Sequence, residues 1–213
     1  MKYKAILLIG PTGAGKTPLG KYLQKHGLGG KRCFHFDFGA NLRDILTTKS
    51  TKDTKNNEVK FSKNEVGFIR IMLESGALLE DKDFPLARKI LKSFIAGNGV
   101  TDKDIIVLNG LPRHIGQAKA LGKFIRMELV VNLTAAPEII HGRIRTNAGG
   151  DRAERIDDDL KSIRKKIKIF NMRTVPLVVF YQKLGAEVCD ISIGLTTKAK
   201  MVYKHLNHFY TFK

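Results

Sequence analysis

The residues most able to do chemistry lie together near the start of the chain. "GPTGAGKT", Gly10 to Thr17, satisfies G-x-x-x-x-G-K-[ST], a loop whose backbone N–H groups wrap a phosphate. Here the N–H groups of Gly13, Gly15 and Lys16 are expected to point at the phosphate. Gly13, Ala14, Gly15, Lys16 and Thr17 form the ATP-binding stretch, with Lys16 on the β/γ-phosphates and Thr17 on Mg²⁺. A second stretch, "VLNGLPRHIGQA", puts Gly110 and Pro112 in a turn after an apolar run. Arg113 and Gln117 follow four residues apart, so a helix starting there sets them on one face beside the strand's C-terminal edge. Ligands bind at that edge in open α/β sheets. "DFG", Asp37 to Gly39, matches a protein-kinase tripeptide, but the rest of that signature is absent and the match is a coincidence.

Such a site needs elements to hold it. Lys4–Ile9 reads as a strand buried on both faces, followed by the loop and a helix that tolerates Pro18 in its first turn. "CFHFD", Cys33–Asp37, reads as the second strand, with a helix from about Ala40 to Leu46. The polar stretch Thr47–Lys60 is expected to be a mobile loop. Ser62 and Glu65 form a capping-box pair opening a helix to Ser75, and another helix runs from about Asp83 to Ala96. Ile105–Asn109 and Glu128–Leu133 are the third and fourth strands, and Pro137 opens a helix to Arg145. A long helix is expected from Asp157, kinked or ended by Pro176, then a strand Ala186–Ile191 and a final helix Thr196–Tyr210. Strands alternating with helices imply an α/β fold: a five-stranded parallel sheet with right-handed crossovers and helices on both faces.

The long helix carries an apolar stripe of Leu160, Ile163, Ile167 and Phe170. Lys161, Arg164, Lys165 and Lys168 lie outside it and read as a solvated basic face. Lys166, three after Ile163 and four before Phe170, points inward and needs an anionic partner. Asp157 to Asp159 suit the first turn of that helix, where acids complement its dipole.

With these stretches in order, the chain resembles the adenylate kinase family of nucleoside monophosphate kinases, whose D-G-F-P-R-x-x-x-Q-A is matched by Asn109 to Arg113 with Gln117-Ala118. "GANLR" resembles the family's G-D-x-L-R, "SGALLED" its G-x-L-V-x-D, and "APEIIHGRI" its P-D-E-L-I-x-x-R-I. "RIDDDLKSIRKKI" resembles the segment that ends the family's lid. The resemblance implies a P-loop NTPase fold over 1–213, with a small helical acceptor-binding insert at 38–97 and a short lid at 145–156. It implies transfer of the γ-phosphoryl of ATP to a nucleoside monophosphate, AMP first. Arg43 would bind the acceptor's phosphate, Arg143 would stack on the donor's adenine, and the backbone of Ala77, Leu78 and Leu79 would lie near the acceptor base. Phe38, which stands where the family has threonine, and Gly39 and Gly110 would also border the acceptor. Gln117 would meet its base. Lys16, Arg113, Arg143, Arg152, Arg155 and Lys166, the last in a position where the family has arginine, would surround the moving phosphoryl.

The departures are specific. The family's strand-end aspartate is Asn109, and the acid of G-D-x-L-R is Ala40. The arginine expected four residues after Arg143 is Asn147, leaving Arg145 or Arg152 as substitutes. Mg²⁺ needs an acid to hold its waters, and Asp37 is the replacement expected to organise it with Thr17. The alternatives are that Asp37 caps the following helix or pairs with Arg43. The lid has no cysteines, so no zinc is expected.

Length and charge bound the rest. At 213 residues a single domain, and a monomer, is the expectation. Cys33 and Cys189 fit no ligand spacing, and the apolar run Ala5–Ile9 is too short for a signal peptide's core, so a soluble cytoplasmic protein without membrane association is expected. The net charge of +18 attracts polyanions, or simply reflects solvated lysines. It keeps open an adenylate-kinase-like ATPase factor acting on RNA or ribosome assembly. A P-loop kinase of another small metabolite, such as a sugar acid, is a further alternative.

Overall fold

The computed structural model describes residues 2–47, 60–75, 79–150 and 160–211. Its centre is a parallel sheet of five strands: β1 Tyr3–Ile9, β2 Cys33–Asp37, β3 Ile105–Asn109, β4 Ile125–Thr134 and β5 Glu187–Ser192. The order across it is β2-β3-β1-β4-β5. β1 and β3 are apolar along nearly their whole length because they are central and covered on both sides.

Alternation along β1 divides the core. Ala5, Leu7 and Ile9 face one apolar layer; Ile6 and Leu8 face the other. The second layer is closed by α1 Lys16–His26, α6 Pro137–Arg145 and α9 Ala199–Thr211, through residues such as Leu19, Leu23, Ile140, Val202 and Leu206. The first is closed by α4 Phe84–Gly97, α5 Ile115–Leu121 and α8 Pro176–Lys183, with Ala87, Leu91, Leu121 and Leu177 fully buried. Between β2 and α4 lie α2 Phe38–Thr47 and α3 Lys63–Ser75, and a 3-10 turn at Asp81–Asp83 leads into α4. This is the P-loop NTPase arrangement, with helices on both faces of a parallel sheet.

Local chemistry explains the element boundaries. α3 opens on the expected capping box: Ser62 N donates to Glu65 Oε2 at 2.7 Å, and Glu65 N donates to Ser62 Oγ at 3.2 Å. α2 begins at Phe38, two residues before the expected start, because Asp37 Oδ1 accepts from Ala40 N at 3.0 Å and lets the helix begin at the strand's end. The expected long helix is interrupted. α7 spans Leu160–Ile169, then a π-turn spans Phe170–Thr174, closed by Val175 N to Phe170 O at 3.0 Å. Pro176 follows at the first turn of α8, where its missing N–H is harmless. The loop expected at Thr47–Lys60 falls almost wholly outside the described residues, as do positions 151–156 of the expected lid.

Candidate active site

Register brings the site together. Across β2 and β3, Asp37 stands opposite Asn109, and Asn109 is paired in turn with Leu8 of β1. The phosphate loop leaves β1 directly after Ile9, so Asp37, Asn109 and the loop share the C-terminal edge of the sheet.

The loop's curvature depends on glycine at two points. Gly13 has φ +83° and Gly15 has φ +94°, values that other residues adopt only with strain. A Cβ on Gly13 would also stand 2.8 Å from Ile144 Cγ1, so the loop is pressed against α6. Lys16 arches over the loop, with Nζ donating to Gly10 O at 2.6 Å and Pro11 O at 2.8 Å. Thr17, in the first turn of α1, donates its hydroxyl to Asp37 Oδ2 at 2.7 Å. Asn109 Nδ2 donates to the same carboxylate oxygen at 2.8 Å and to Thr17 Oγ1 at 3.1 Å. The two oxygens of Asp37 thus do different work: Oδ1 caps α2, and Oδ2 faces the loop threonine. No ion pair joins Asp37 to Arg43 among the described residues.

A cavity of about 250 Å³ opens over this edge. One end is the phosphate loop with Lys16, Thr17, Asp37 and Asn109. The other is walled by Phe38, Gly39, Leu42, Met72 and Leu79, with Arg43, Gly110, Arg113 and Gln117 also on its surface. Lys166, Phe170 and Thr174 border it from α7 and the π-turn. The inward Lys166 therefore faces the cavity, while Arg164, Lys165 and Lys168 are exposed. Ile163 is buried, and the side chains of Leu160 and Lys161 lie outside the described residues.

Charge in the cavity is unbalanced. Lys16, Arg43, Arg113 and Lys166 border it, against Asp37 as its single carboxylate among the described residues. Neither Arg43 nor Arg113 has a carboxylate partner among those residues. Burial alone pushes the Arg113 guanidinium's pKa down, the direction expected of a cation removed from water without a counter-charge. Its backbone, by contrast, is fixed on both sides. Arg113 N donates to Gln117 Oε1 at 2.8 Å, and Arg113 O accepts from Thr174 Oγ1 at 2.9 Å.

Two expected ligand contacts have protein partners in the structure. Gln117 is 1% exposed, and besides Arg113 N its amide donates to Leu79 O at 2.8 Å. It therefore holds the acceptor wall to the turn after β3, and the base contact expected of it would have to use its remaining N–H or lone pair. Arg143 is buried on carbonyls: Nε donates to Gly13 O at 3.0 Å, and Nη1 to Gly194, Leu195 and Thr197 at 2.8, 3.2 and 2.9 Å. It ties the phosphate loop to the segment before α9, and its guanidinium borders a second cavity shared with Ala14, Gly15, Pro18, Thr197 and Lys198. Ala77, Leu78, Arg152 and Arg155 lie outside the described residues.

Sequence reasoning missed His114, which is buried and whose Nε2 is 2.9 Å from Leu79 O, and Thr174. Nothing in the residue types marks either one. Among the described residues no group of three or more His, Cys, Asp or Glu is placed to hold a metal ion, and no helix is long and apolar enough to cross a membrane.

Comparison with known proteins bears on the class. The chain is 29% identical over 192 residues to an adenylate kinase of Parvibaculum lavamentivorans, covering 84% of this chain and 80% of that protein. It is 25% identical over 210 residues to an adenylate kinase of Bartonella tribocorum, covering 92% and 96%. It is 25% identical over 186 residues to human adenylate kinase isoenzyme 1, covering 86% and 84%. Among solved structures it is similar to a sugar kinase from a Janibacter species, with TM-score 0.52 and 12% identity over 96% of this chain and 92% of that one, a likeness of fold. No family model matches the sequence. Together with the phosphate loop, these likenesses support a nucleotide-binding phosphotransferase, a P-loop kinase only distantly like the adenylate kinases.

Proposed function

We propose that the chain transfers the γ-phosphoryl of ATP to a nucleoside monophosphate, with AMP the first candidate. The observation that carries this is the cavity's charge: a phosphate loop at one end, and at the other Arg43 and Arg113 without a carboxylate partner among the described residues. Arg43 is exposed at the cavity's edge and Arg113 is half-buried; cations gathered at one cavity attract anions from solution, and a phosphate on each of two substrates supplies the pairing. The donor's phosphates lie along Gly13, Ala14, Gly15, Lys16 and Thr17, and its adenosine lies toward Arg143 and the second cavity. The acceptor lies between Phe38, Gly39, Arg43, Leu79, Gly110, Arg113 and Gln117, with Ala77 and Leu78 on the same segment. No nucleophilic side chain is required, because phosphoryl transfer is catalysed mainly by positioning and charge neutralisation. Lys16, Arg113 and Lys166, joined by Arg152 and Arg155, supply that positive charge.

Mg²⁺ fits the donor set of Thr17 Oγ1 and Asp37 Oδ2, one hydroxyl and one carboxylate on the loop's edge. Mg²⁺ is commonly held by one or two protein oxygens with water and substrate phosphates. When bound it neutralises phosphate charge, and Asn109 orients the carboxylate that faces it.

The test is ADP formation from MgATP in a coupled assay with AMP, GMP, CMP, UMP, a sugar acid and RNA as separate additions. The expected result is formation that depends on a nucleoside monophosphate, strongest with AMP. Stimulation by the sugar acid or RNA alone would replace this reading with the corresponding alternative. Asp37→Asn is expected to raise the Mg²⁺ concentration giving half-maximal activity, and Asn109→Asp to reverse part of that rise. An unchanged Mg²⁺ titration with normal activity would leave Asp37 as a helix cap only.

A further inference from the structure

Two walls of the cavity belong to segments far apart in sequence, and one ion pair joins them. The acceptor wall ends at Leu79, whose carbonyl is held by Gln117 Nε2 at 2.8 Å, with His114 Nε2 2.9 Å away. The next residue, Glu80, leaves the cavity and meets Arg173 through two parallel contacts: Nη1 to Oε1, and Nη2 to Oε2 at 2.8 Å. Arg173 lies in the π-turn, next to Thr174, whose hydroxyl holds Arg113 O. Three residues earlier Phe170 borders the cavity, and Lys166 reaches it from the last turns of α7.

The geometry is better than that of an ordinary surface pair. Fork-to-fork contacts between arginine and carboxylate fix orientation as well as distance. The Glu80 side chain is constrained from its own side too, since it accepts from Asp83 N while Asp83 Oδ2 accepts from Glu80 N at 3.2 Å. The pair is thus anchored at one end in the 3-10 turn that follows the acceptor wall. At the other it is anchored in the π-turn, a helical irregularity that often marks functional sites.

We propose that Arg173 and Glu80 are positioning residues for transfer, tying the acceptor wall to the helix that carries Lys166 so that the two are set at one spacing across the cavity. The proposal rests on the phosphotransferase reading above. Neither residue touches the reacting atoms; they act through Lys166 and through the segment ending at Leu79. Without the pair, the π-turn and the acceptor wall are linked among the described residues only indirectly, through Thr174, Arg113 and Gln117 to Leu79 O, and by the long Lys165 Nζ to Ser75 O contact at 3.5 Å. Their spacing loosens, and Lys166 loses its register with a phosphate bound between them.

The experiment compares Arg173→Met, Glu80→Gln and the charge-swapped double variant, Glu80→Arg with Arg173→Glu, each in the wild-type and Lys166→Met backgrounds. Acceptor KM, ATP KM and kcat are measured, with thermal melting as the check on folding. In the wild-type background Arg173→Met is expected to raise the acceptor's KM and lower kcat, for a combined loss of up to about five-fold, with ATP KM unmoved. In the Lys166→Met background the same change is expected to cost less than about two-fold, because the group it positions is gone. The charge swap is expected to recover part of the loss. Equal losses in both backgrounds, or losses that follow melting temperature alone, would reduce the pair to a structural contact. Unchanged kinetics in an active enzyme would overturn the proposal by itself. A wild-type protein that phosphorylates no nucleoside monophosphate would instead overturn the reading on which it rests.

Discussion

The two ends of β2 and β3 solve opposite electrostatic problems. At the N-terminal end Arg32, just before β2, meets Asp104, just before β3. Nε donates to Oδ1 at 2.8 Å and Nη2 to Oδ2 at 2.9 Å, while Thr101 adds its N–H and hydroxyl at 2.8 and 2.7 Å. Both charges of this pair have their partner within the protein. At the C-terminal end Arg43 and Arg113 have no carboxylate partner among the described residues, and Asp37 is occupied by Thr17, Asn109 and the start of α2. The same strands therefore carry a closed ion pair at one end and an open set of cations at the other. A closed pair contributes to holding a fold; an open set facing a cavity suits an anion brought from outside.

The contrast can be sharpened by removing one charge from each end. The largest effect is expected at the cavity. Lys16→Ala should lower transfer by about 10²-fold or more, on the order of 3 kcal/mol of transition-state stabilisation, with melting little changed. Near-normal turnover in that variant would remove the phosphate-loop assignment. At the opposite end Asp104→Asn should leave transfer untouched and destabilise the fold by about 1–3 kcal/mol, because a buried hydrogen-bonded carboxylate loses its charge. The pH dependence separates the ends as well. The hydrogen bonds from Arg32 hold the Asp104 carboxyl down to about 2, against burial and with help from Thr101. A carboxyl whose pKa is lower folded than unfolded stabilises fully above its unfolded value, about 3.9, and loses that contribution as pH falls through the folded value. Wild type should therefore lose stability from about pH 4 toward pH 2 more steeply than Asp104→Asn. Parallel melting curves over that range would contradict the closed-pair description.

Legibility in the sequence follows the range of the interaction. β1, β2, β3 and the phosphate loop were readable because apolar runs and glycine spacing act locally, and the Ser62–Glu65 box was readable because its partners are three residues apart. The inward direction of Lys166 followed from helical spacing. Other features depend on partners brought by the fold. No local pattern says that the Gln117 amide will be divided between Arg113 N and Leu79 O, or that Arg143 will be surrounded by carbonyls from residues 13 and 194–197. Asp37 shows both kinds of interaction. Its capping of α2 is local, whereas its contact with Thr17 and Asn109 exists only because β3 lies between β2 and β1. The π-turn escaped for a related reason: Pro176 signalled a break in the helix but not its form.

The central claim is that the cations at the C-terminal edge are there for phosphates of two substrates, and Arg113 tests it most directly. The measurement is the melting temperature of wild type and Arg113→Ala, each alone and with a nucleotide in which two adenosines are bridged by a chain of phosphates long enough to span both ends of the cavity. Because a ligand that binds the folded state raises its stability by an amount that grows with the logarithm of ligand concentration over Kd, wild type should melt markedly higher with the compound. Arg113→Ala should show a much smaller rise. Without ligand, Arg113→Ala should melt close to the wild-type temperature, since the half-buried guanidinium has no carboxylate partner among the described residues to lose. If Arg113→Ala instead melts several degrees lower alone and gains as much from the compound as wild type does, Arg113 is a structural residue and the two-phosphate account of the cavity is wrong.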